Sequence, residues 1–105
     1  MVLEERLYGS EISAHAICDG ARAWVLPFVQ DHKRLGENDT GPNTGGMGSF
    51  SPGPALPAEE VAEIVERVHR PVVEELARRG TPFVGVLFAG LMLTDDGPKV
   101  LEFNA

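Results

Sequence analysis

Two oxygen-bearing side chains near the end of the sequence, Glu102 and Asn104, have the types and spacing of a metal site. They lie two residues apart in residues 99–104, which the pattern predicts to be a strand, so both side chains point to the same face. A carboxylate and an amide carbonyl are hard oxygen ligands, which suit Mg²⁺ bound alongside substrate phosphates. The same spacing also fits a terminal strand with one solvated face, so the pair alone does not establish a metal site.

A polar, glycine-rich stretch at residues 30–51, QDHKRLGENDTGPNTGGMGSFS, is the second candidate for chemistry. The composition of residues 39–48 excludes a helix or a central strand, because glycine has no side chain to pack and proline has no ladder donor. A structureless connection of about twenty residues is uncommon in a compact domain unless it is functional. Its polar groups suit a small polar substrate, and its glycine N–H groups suit an anion. The alternative is an ordinary surface loop.

Strands on both sides of this stretch are predicted to position it. Residues 11–18 alternate as a strand, the Asp19-Gly20 pair predicts a two-residue hairpin turn, and residues 21–28 return as its partner. Three residues of the returning strand are expected on one face: Trp24, Leu26 and Phe28. Residues 1–7 also look like a strand, and His15 is expected to face solvent or a neighbouring element and not a metal.

The apolar residues 83–93 predict a strand that is buried on both faces. Within it Gly85 and Gly90 indicate a bulge or a close backbone approach. Residues 99–104 are its predicted antiparallel partner, with Leu101 and Phe103 directed into a core.

A rigid turn at residues 51–54 and a long helix at about residues 57–79 separate the two halves of the predicted sheet. Pro57 begins the helix and Gly80 is the expected C-cap. Pro71 should kink the helix, because its ring clashes with the carbonyl of Arg67. The apolar stripe has helical spacing and comprises Val61, Ile64, Val65, Val68, Val72 and Leu76. The pattern as a whole predicts an α+β fold, a mostly antiparallel sheet with one long helix packed on it.

The composition limits the classes of partner. A chain of 105 residues is one domain or less, and a net charge of −7 argues against broad binding to nucleic acid or anionic membranes. No apolar run has the length of a membrane span, and a single cysteine, Cys18, fits a reducing compartment. These features predict a soluble, intracellular protein.

Four runs, QDHKR, DTGPNTGGMG, FVGVLFAGLML and GPKVLEFN, closely resemble the phosphoribosylamine–glycine ligase family, ATP-grasp enzymes of purine biosynthesis. The opening LEERLYGSE resembles the hinge at which ATP-grasp proteins hold adenine. The resemblance covers essentially the whole chain, and the DTGPNTGGMG string is far more specific than a bare GxGxxG motif. It implies a partial ATP-grasp domain over residues 1–105, namely the hinge strand and second subdomain. That subdomain would comprise a substrate loop at about 30–51, a helix at about 57–79 and a metal-site hairpin at about 83–104.

The resemblance also implies a reaction and residue roles. Such enzymes join glycine to 5-phosphoribosylamine at the expense of ATP through glycyl phosphate, with Mg²⁺, or alternatively Mn²⁺, near the phosphates. The metal positions match Glu102 and Asn104. The ATP-binding positions match Glu4, Glu5 and Leu7 at the adenine hinge and Glu11 near the ribose. The region facing the phosphates and the other substrates matches Asp31, Lys33, Asp39, Thr40, Asn43, Thr44, Gly45 and Gly46.

Family members continue beyond the position of residue 105 with an Arg-Phe-Gly-Asp-Pro-Glu signature and carry further domains. The resemblance therefore implies that the chain is about a quarter of a family member and is inactive alone, with exposed sheet edges that permit self-association. Two alternatives stay open. Another ATP-grasp carboxylate–amine ligase would share the hinge and the E-x-N spacing but not the glycine-rich loop. A non-catalytic interaction module would bind no nucleotide.

Overall fold

A four-stranded antiparallel sheet with a helical segment packed on one face organises the chain. The computed structural model describes residues 1–53 and 56–105, so Pro54, at the end of the predicted turn, lies outside the described residues. The sheet has the strand order β2-β1-β7-β8, and the predicted α+β class is confirmed. The elements in chain order are β1 (Ser10–Asp19), β2 (Ala23–Val25), β3 (Gln30–Asp31), β4 (Arg34–Gly36), β5 (Thr40–Asn43), β6 (Ser49–Phe50), α1 (Ala58–Ile64), a π-helical turn (Val65–His69), α2 (Arg70–Arg78), β7 (Val84–Thr94) and β8 (Gly97–Asn104).

Strands β1 and β7 form the centre of the sheet and pair along their whole length, from Ser10 opposite Leu93 to Asp19 opposite Val84. The alternation predicted for β1 is confirmed, because every second residue packs under the helical segment. This covered face comprises Ile12, Ala14, Ala16 and Cys18 of β1 and Leu87, Ala89 and Leu91 of β7, all at most 4% exposed. Burial raises the pKa of the Cys18 thiol, as expected for a structural cysteine.

The turn between β1 and β2 is displaced by one residue from the predicted Asp19-Gly20 pair. The strand register places it at residues 20–21. The Asp19 carboxylate accepts hydrogen bonds from the backbone N–H groups of Ala21 and Arg22, at 2.9 and 2.7 Å. These two bonds lower the pKa of Asp19. The turn is displaced because the Asp19 side chain caps it, and a residue that caps a turn in this way lies before the turn.

The sequence predicts that Trp24, Leu26 and Phe28 share one face. This prediction is wrong for Phe28. Leu26 donates its N–H to the carbonyl of His15, whereas Val29 and Ser13 exchange hydrogen bonds in both directions. Between the Leu26–His15 pair and the Val29–Ser13 pair, the chain that contains Leu26 and Val29 has one residue more than its partner strand. That residue reverses the side to which the chain points, so Phe28 is buried on the covered face while the other two side chains are exposed.

The ends of the helical segment agree with the sequence pattern to within a residue. Pro57 immediately precedes the first helical residue, and two acidic side chains, Glu59 and Glu60, lie in the first turn. Gly80 has φ +78°, and the N–H of Thr81 reaches the carbonyl of Leu76. This arrangement is the glycine C-cap that was predicted.

The predicted disturbance at Pro71 takes the form of the π-helical turn that immediately precedes α2. A π-turn inserts one extra residue into a helix and rotates the following apolar stripe. The stripe consequently continues through His69 and Val73, which are both buried and which the sequence pattern did not identify. The predicted Val72 and Leu76 are only partly buried.

Strand β7 is not buried on both faces. Val84 and Val86 are 73% and 48% exposed, because only one face of the sheet is covered by the helical segment. The predicted bulge is confirmed, since the β7–β8 register shifts between Gly90 and Leu91.

Strand β8 lies at the edge of the sheet, and its predicted core residues Leu101 and Phe103 are 41% and 39% exposed. The shift in register leaves Leu101 without a partner position and places Val100 opposite Leu91. The bulge therefore moves the core-facing position of β8 by one residue, which alternation alone does not reveal.

Residues 1–8 do not form the expected hinge strand and have no regular secondary structure. A strand requires a neighbour for its backbone groups, and these residues are mostly exposed. Among residues 1–53 and 56–105, no helix has the length and apolar character needed to cross a membrane.

Candidate functional site

The face of the sheet opposite the helical segment is open, and polar residues occupy one part of it. Ser13, Gly90 and Glu102 lie side by side across β1, β7 and β8, because Gly90 pairs with both of the others. In the adjacent row Phe88 pairs with both His15 and Asn104. Glu102 and Asn104 thus share the open face, and the half-buried His15 packs its ring against Phe88 with centroids 5.2 Å apart.

Residues 30–50 form a long irregular hairpin, so the expectation of a structureless connection is wrong. Its base pairs β3 with β6 and its outer part pairs β4 with β5. Between these two strand pairs, the backbone N–H of His32 donates to the carbonyl of Gly48 at 2.8 Å. The backbone carbonyl of His32 accepts from the N–H of Met47 at 2.7 Å. Two-stranded pairing accommodates glycine and proline because each strand has a free edge.

The tip of the long hairpin turns at two residues with left-handed backbone conformation, Asn38 at φ 55° and Asp39 at φ 57°. Asparagine and aspartate tolerate this conformation better than other side chains. Arg34 donates from Nη1 to the carbonyl of Gly41 at 2.6 Å and so ties the two strands together. Local interactions therefore determine the shape of the tip.

The base of the long hairpin contacts the open face through two polar interactions. Ser13 donates its hydroxyl to Oδ2 of Asp31 at 3.3 Å, and Lys33 Nζ lies 3.4 Å from Oε2 of Glu11. Both charged groups of the ion pair are partly exposed, so the pair contributes little to stability. The ion pair matters because it holds the Lys33 ammonium above the sheet, in a strongly acidic chain.

A cleft of about 380 Å³ lies between this hairpin, residues 6–11 and the end of β7. It brings together six of the residues to which the sequence assigns a role: Leu7, Glu11, Asp31, Lys33, Asp39 and Asn43. A much smaller cavity of about 10 Å³ adjoins it and brings Glu102 to Glu11, Ser13, Asp31 and Lys33. Residues from three separated parts of the sequence therefore converge on one end of the open face.

Several other predicted site residues do not line these cavities. Glu4 and Glu5 are exposed on the segment before β1. Thr40 donates its hydroxyl to the carbonyl of Glu37, and Thr44 donates its hydroxyl to the carbonyl of Lys33, at 2.6 and 2.8 Å. Both hydroxyls thus hold the long hairpin in shape.

The glycines of the hairpin have open space around them. A Cβ built on Gly45 or Gly46 meets nothing within 4 Å. The Thr44 hydroxyl accepts a hydrogen bond from the N–H of Gly46 at 3.1 Å, which orders this segment. The backbone here is accessible to a ligand from outside the chain.

The structure adds two residues that the sequence did not place in the site, Ser13, which donates to Asp31, and Gly90, which pairs with Glu102. Arg34 belongs to the polar set of residues 30–51, and it ties the hairpin together. The signal for Gly90 was its position inside an apolar strand, where glycine indicates close approach. Ser13 gave no comparable signal, because a serine on the polar side of an alternating strand is ordinary.

Glu102 and Asn104 fit a divalent cation only as a partial set of ligands. Within residues 1–53 and 56–105, no group of three His, Cys, Asp or Glu side chains is arranged to hold a metal ion. The pair offers hard oxygens, and the missing side chain of Gly90 lets the Glu102 side chain lie over the sheet. This donor set fits Mg²⁺ whose other ligands are phosphate oxygens and water.

The comparisons with known proteins agree along the whole chain. The family model described as phosphoribosylglycinamide synthetase, ATP-grasp (A) domain, matches residues 1–105. The phosphoribosylamine–glycine ligases of Brucella melitensis, Streptococcus pneumoniae and Rhodopirellula baltica are 51%, 50% and 53% identical to it. These alignments cover 99%, 100% and 99% of this chain.

The chain spans about a quarter of the length of these relatives, at 24%, 25% and 24% respectively. The crystal structure of the phosphoribosylamine–glycine ligase of Thermotoga maritima superposes with a TM-score of 0.83 at 40% identity. That match covers 97% of this chain and 26% of the other. The resemblance seen in the sequence is thereby confirmed: the chain belongs to the family of phosphoribosylglycinamide synthetase ATP-grasp (A) domains.

Proposed function

We propose that this chain is part of an ATP-dependent ligase that joins glycine to 5-phosphoribosylamine and forms glycinamide ribonucleotide through glycyl phosphate. The observation that carries the proposal is the convergence of Glu11, Asp31, Lys33 and Glu102 at one end of the open face. The curated relatives that match this stretch carry the name phosphoribosylamine–glycine ligase. Purine biosynthesis is the corresponding process.

The polar end of the open face is proposed to bind ATP. Residues 4–7 would present backbone groups to the adenine, and the Glu11 carboxylate would accept hydrogen bonds from the ribose hydroxyls. Lys33 lies 3.4 Å from Glu11, so an ATP molecule held there would have an ammonium group within reach of its phosphates. Lys33 would offset phosphate charge as the phosphoryl group moves to the glycine carboxylate.

Glu102 and Asn104 would hold the divalent cation, Mg²⁺ or alternatively Mn²⁺. The ion, when bound, supplies Lewis-acid stabilisation of charge on phosphate oxygens. The two side chains stand in adjacent rows of a paired strand, which fixes their separation better than a loop would. Asp31, held by Ser13, would orient the ammonium of Lys33 or an amine substrate.

The long hairpin is proposed to cover the substrates. Asp39 and Asn43 line the cleft and would contact glycine or 5-phosphoribosylamine. The backbone at Gly45 and Gly46 is unobstructed, so a phosphate could approach the N–H of Gly45 closely, while the N–H of Gly46 donates to the Thr44 hydroxyl. Thr40 and Thr44 would act through the shape of the hairpin.

We further propose that the protein acts in the cytoplasm, with small molecules as its ligands and without nucleic acid or membrane partners. The acidic charge of −7 and the buried, free Cys18 support this location. The isolated chain would also self-associate through β8, an exposed edge strand.

A chimera tests the proposal directly. In the full-length Thermotoga maritima ligase, the segment matched by this chain is replaced by these 105 residues, and ADP release is followed with ATP, Mg²⁺, glycine and 5-phosphoribosylamine. We expect glycine-dependent ADP release from the chimera. A folded chimera that binds ATP but gives no glycine-dependent release would contradict the proposed reaction.

The isolated chain is the matched comparison, and we expect it to release no ADP. Catalysis of this kind depends on several substrates held in one geometry, which is worth several kcal/mol, about 7–11 in well-oriented cases. The chain spans only about a quarter of its relatives. Glycine-dependent ADP formation by the isolated chain would show that the remaining three quarters are dispensable.

A further inference from the structure

We infer that Gly90 is a positioning residue for the Glu102 carboxylate, and that its missing side chain is what allows Glu102 to lie over the sheet. The inference rests on the metal site of the proposed function and adds a residue to it. Gly90 stands between Ser13 and Glu102 in one row across three strands. It is buried although no side chain of its own contributes to the core.

Backbone conformation does not explain a glycine at this position. Gly90 is not among the glycines with positive φ, whereas Gly85 in the same strand has φ +146°. A residue with a side chain would therefore adopt the backbone of Gly90 without strain. The requirement for glycine must come from the neighbouring side chains.

Steric crowding by the neighbouring side chains explains why position 90 is a glycine. A Cβ on Gly90 would lie 3.1 Å from Cγ of Glu102 and 3.3 Å from Cζ of Phe88. Both separations are shorter than ordinary carbon–carbon contacts of about 3.5–4.0 Å, so one neighbour would have to move. The Glu102 side chain belongs to an edge strand and has more freedom than the Phe88 ring, which packs against His15.

The β-bulge makes the position of the Glu102 side chain more sensitive to the residue at position 90. The β7–β8 register shifts immediately beyond Gly90, so the Gly90–Glu102 pair is the last one before the irregularity. Mg²⁺ demands near-ideal ligand positions at about 2.0–2.1 Å. A displacement of a few tenths of an ångström at Cγ is amplified at the carboxylate, and it therefore weakens binding of the ion.

The test introduces Gly90→Ala into the chimera and measures the binding of Mn²⁺ in the presence of a non-hydrolysable ATP analogue. The electron paramagnetic resonance signal reports the concentration of free Mn²⁺. We expect about 10-fold weaker binding or more, the usual cost of losing a residue that orients a metal ligand. Val84→Ala, at the exposed end of the same strand, is the control and should leave Mn²⁺ binding unchanged. The midpoint of thermal unfolding of Gly90→Ala should stay close to that of the control.

Unchanged Mn²⁺ binding in Gly90→Ala overturns the inference, provided that Glu102→Gln weakens binding in the same assay. If Glu102→Gln has no effect either, the proposed metal site itself fails, so the two failures are distinguishable. Should Gly90→Ala not fold, the double variant Gly90→Ala with Phe88→Leu removes the crowding ring and leaves the contact with Glu102. Weak Mn²⁺ binding in that variant supports the inference, and normal binding overturns it.

Discussion

The covered and open faces of the central sheet are built from the same strands and differ in almost every property. On the covered face, alternate residues of β1 and β7 pack against Ile64, Val68 and Val73 of the helical segment. On the open face, the intervening residues are a mixture of a carboxylate, a serine, aromatic rings and exposed valines. The covered face contains the hydrophobic core, and the open face carries the proposed binding site.

The difference shows how one strand can serve both purposes. Leu87 and Val86 are neighbours in β7, yet Leu87 is 4% exposed and Val86 is 48% exposed. Because successive strand side chains point to opposite faces, a change at one position leaves the other face intact. Substitutions on the two faces should consequently separate stability from ligand binding.

The largest expected effect lies on the covered face. Leu87→Ala should lower the free energy of unfolding of the chain by about 2–5 kcal/mol, because it leaves a cavity against Val73 and Ala16. Val86→Ala, one residue away on the open face, should cost much less. Urea unfolding at equilibrium measures both, and equal losses for the two variants would contradict the assignment of the faces.

Next in size is the loss of a metal ligand on the open face. In the chimera, Glu102→Gln and Asn104→Ala should each reduce turnover about 100-fold or more, since a bound ion would stabilise transition-state charge by several kcal/mol. The midpoint of thermal unfolding should not change, because both side chains are exposed. Glu59→Gln, an exposed carboxylate on α1, is the control. Normal turnover of both variants at limiting Mg²⁺ would rule out the metal role.

A smaller effect is expected in the long hairpin. Gly45→Val should lower turnover of the chimera by about 10- to 100-fold, because a bulky side chain keeps substrate from the backbone. Stability should be unaffected, since a Cβ at Gly45 meets nothing within 4 Å. Gly46 has φ +139°, so a valine there would add backbone strain and is less informative. If Gly45→Val unfolds the protein while the folded fraction keeps full turnover, the hairpin has only a structural role.

The two faces also differ in how far the sequence predicts them. Alternation in β1 identified Ile12, Ala14, Ala16 and Cys18 correctly, because a buried face imposes a strict period of two. The continuous apolar run of β7 suggested burial on both faces, but composition does not show which face has a covering layer. Val84 and Val86 are apolar and exposed.

Offsets of a single residue account for most of the other differences. The extra residue before Val29, the π-turn before Pro71 and the bulge after Gly90 each reverse or rotate the side chains that follow. Such offsets depend on tertiary pairing, so a local pattern signals the irregularity without fixing its register. The motif positions predicted separate roles for Glu11, Asp31, Lys33 and Glu102, and the fold brings all four to one cavity, whereas the Ser13–Asp31 hydrogen bond could not be predicted without the fold.

The smallest expected effect is a pH dependence that arises on the covered face. His69 is fully buried and donates from Nε2 to the carbonyl of Ala14 at 3.1 Å, and its Nδ1 has no hydrogen-bond partner among the described residues. Burial lowers the pKa of His69 below its ordinary value of 6.5, and the charge of nearby His15 acts in the same direction. The hydrogen bond to Ala14 opposes the shift.

The unfolded chain therefore binds a proton at His69 more readily than the folded chain does. The contribution to stability is complete above pH 6.5 and is lost as the pH falls from that value toward the lower pKa of the folded state. The urea midpoint should decline over this interval in the native chain. His69→Gln keeps an amide donor for the Ala14 carbonyl but does not titrate, so its midpoint should decline less. Identical slopes in His69→Gln and the native chain would show that the pH dependence originates elsewhere.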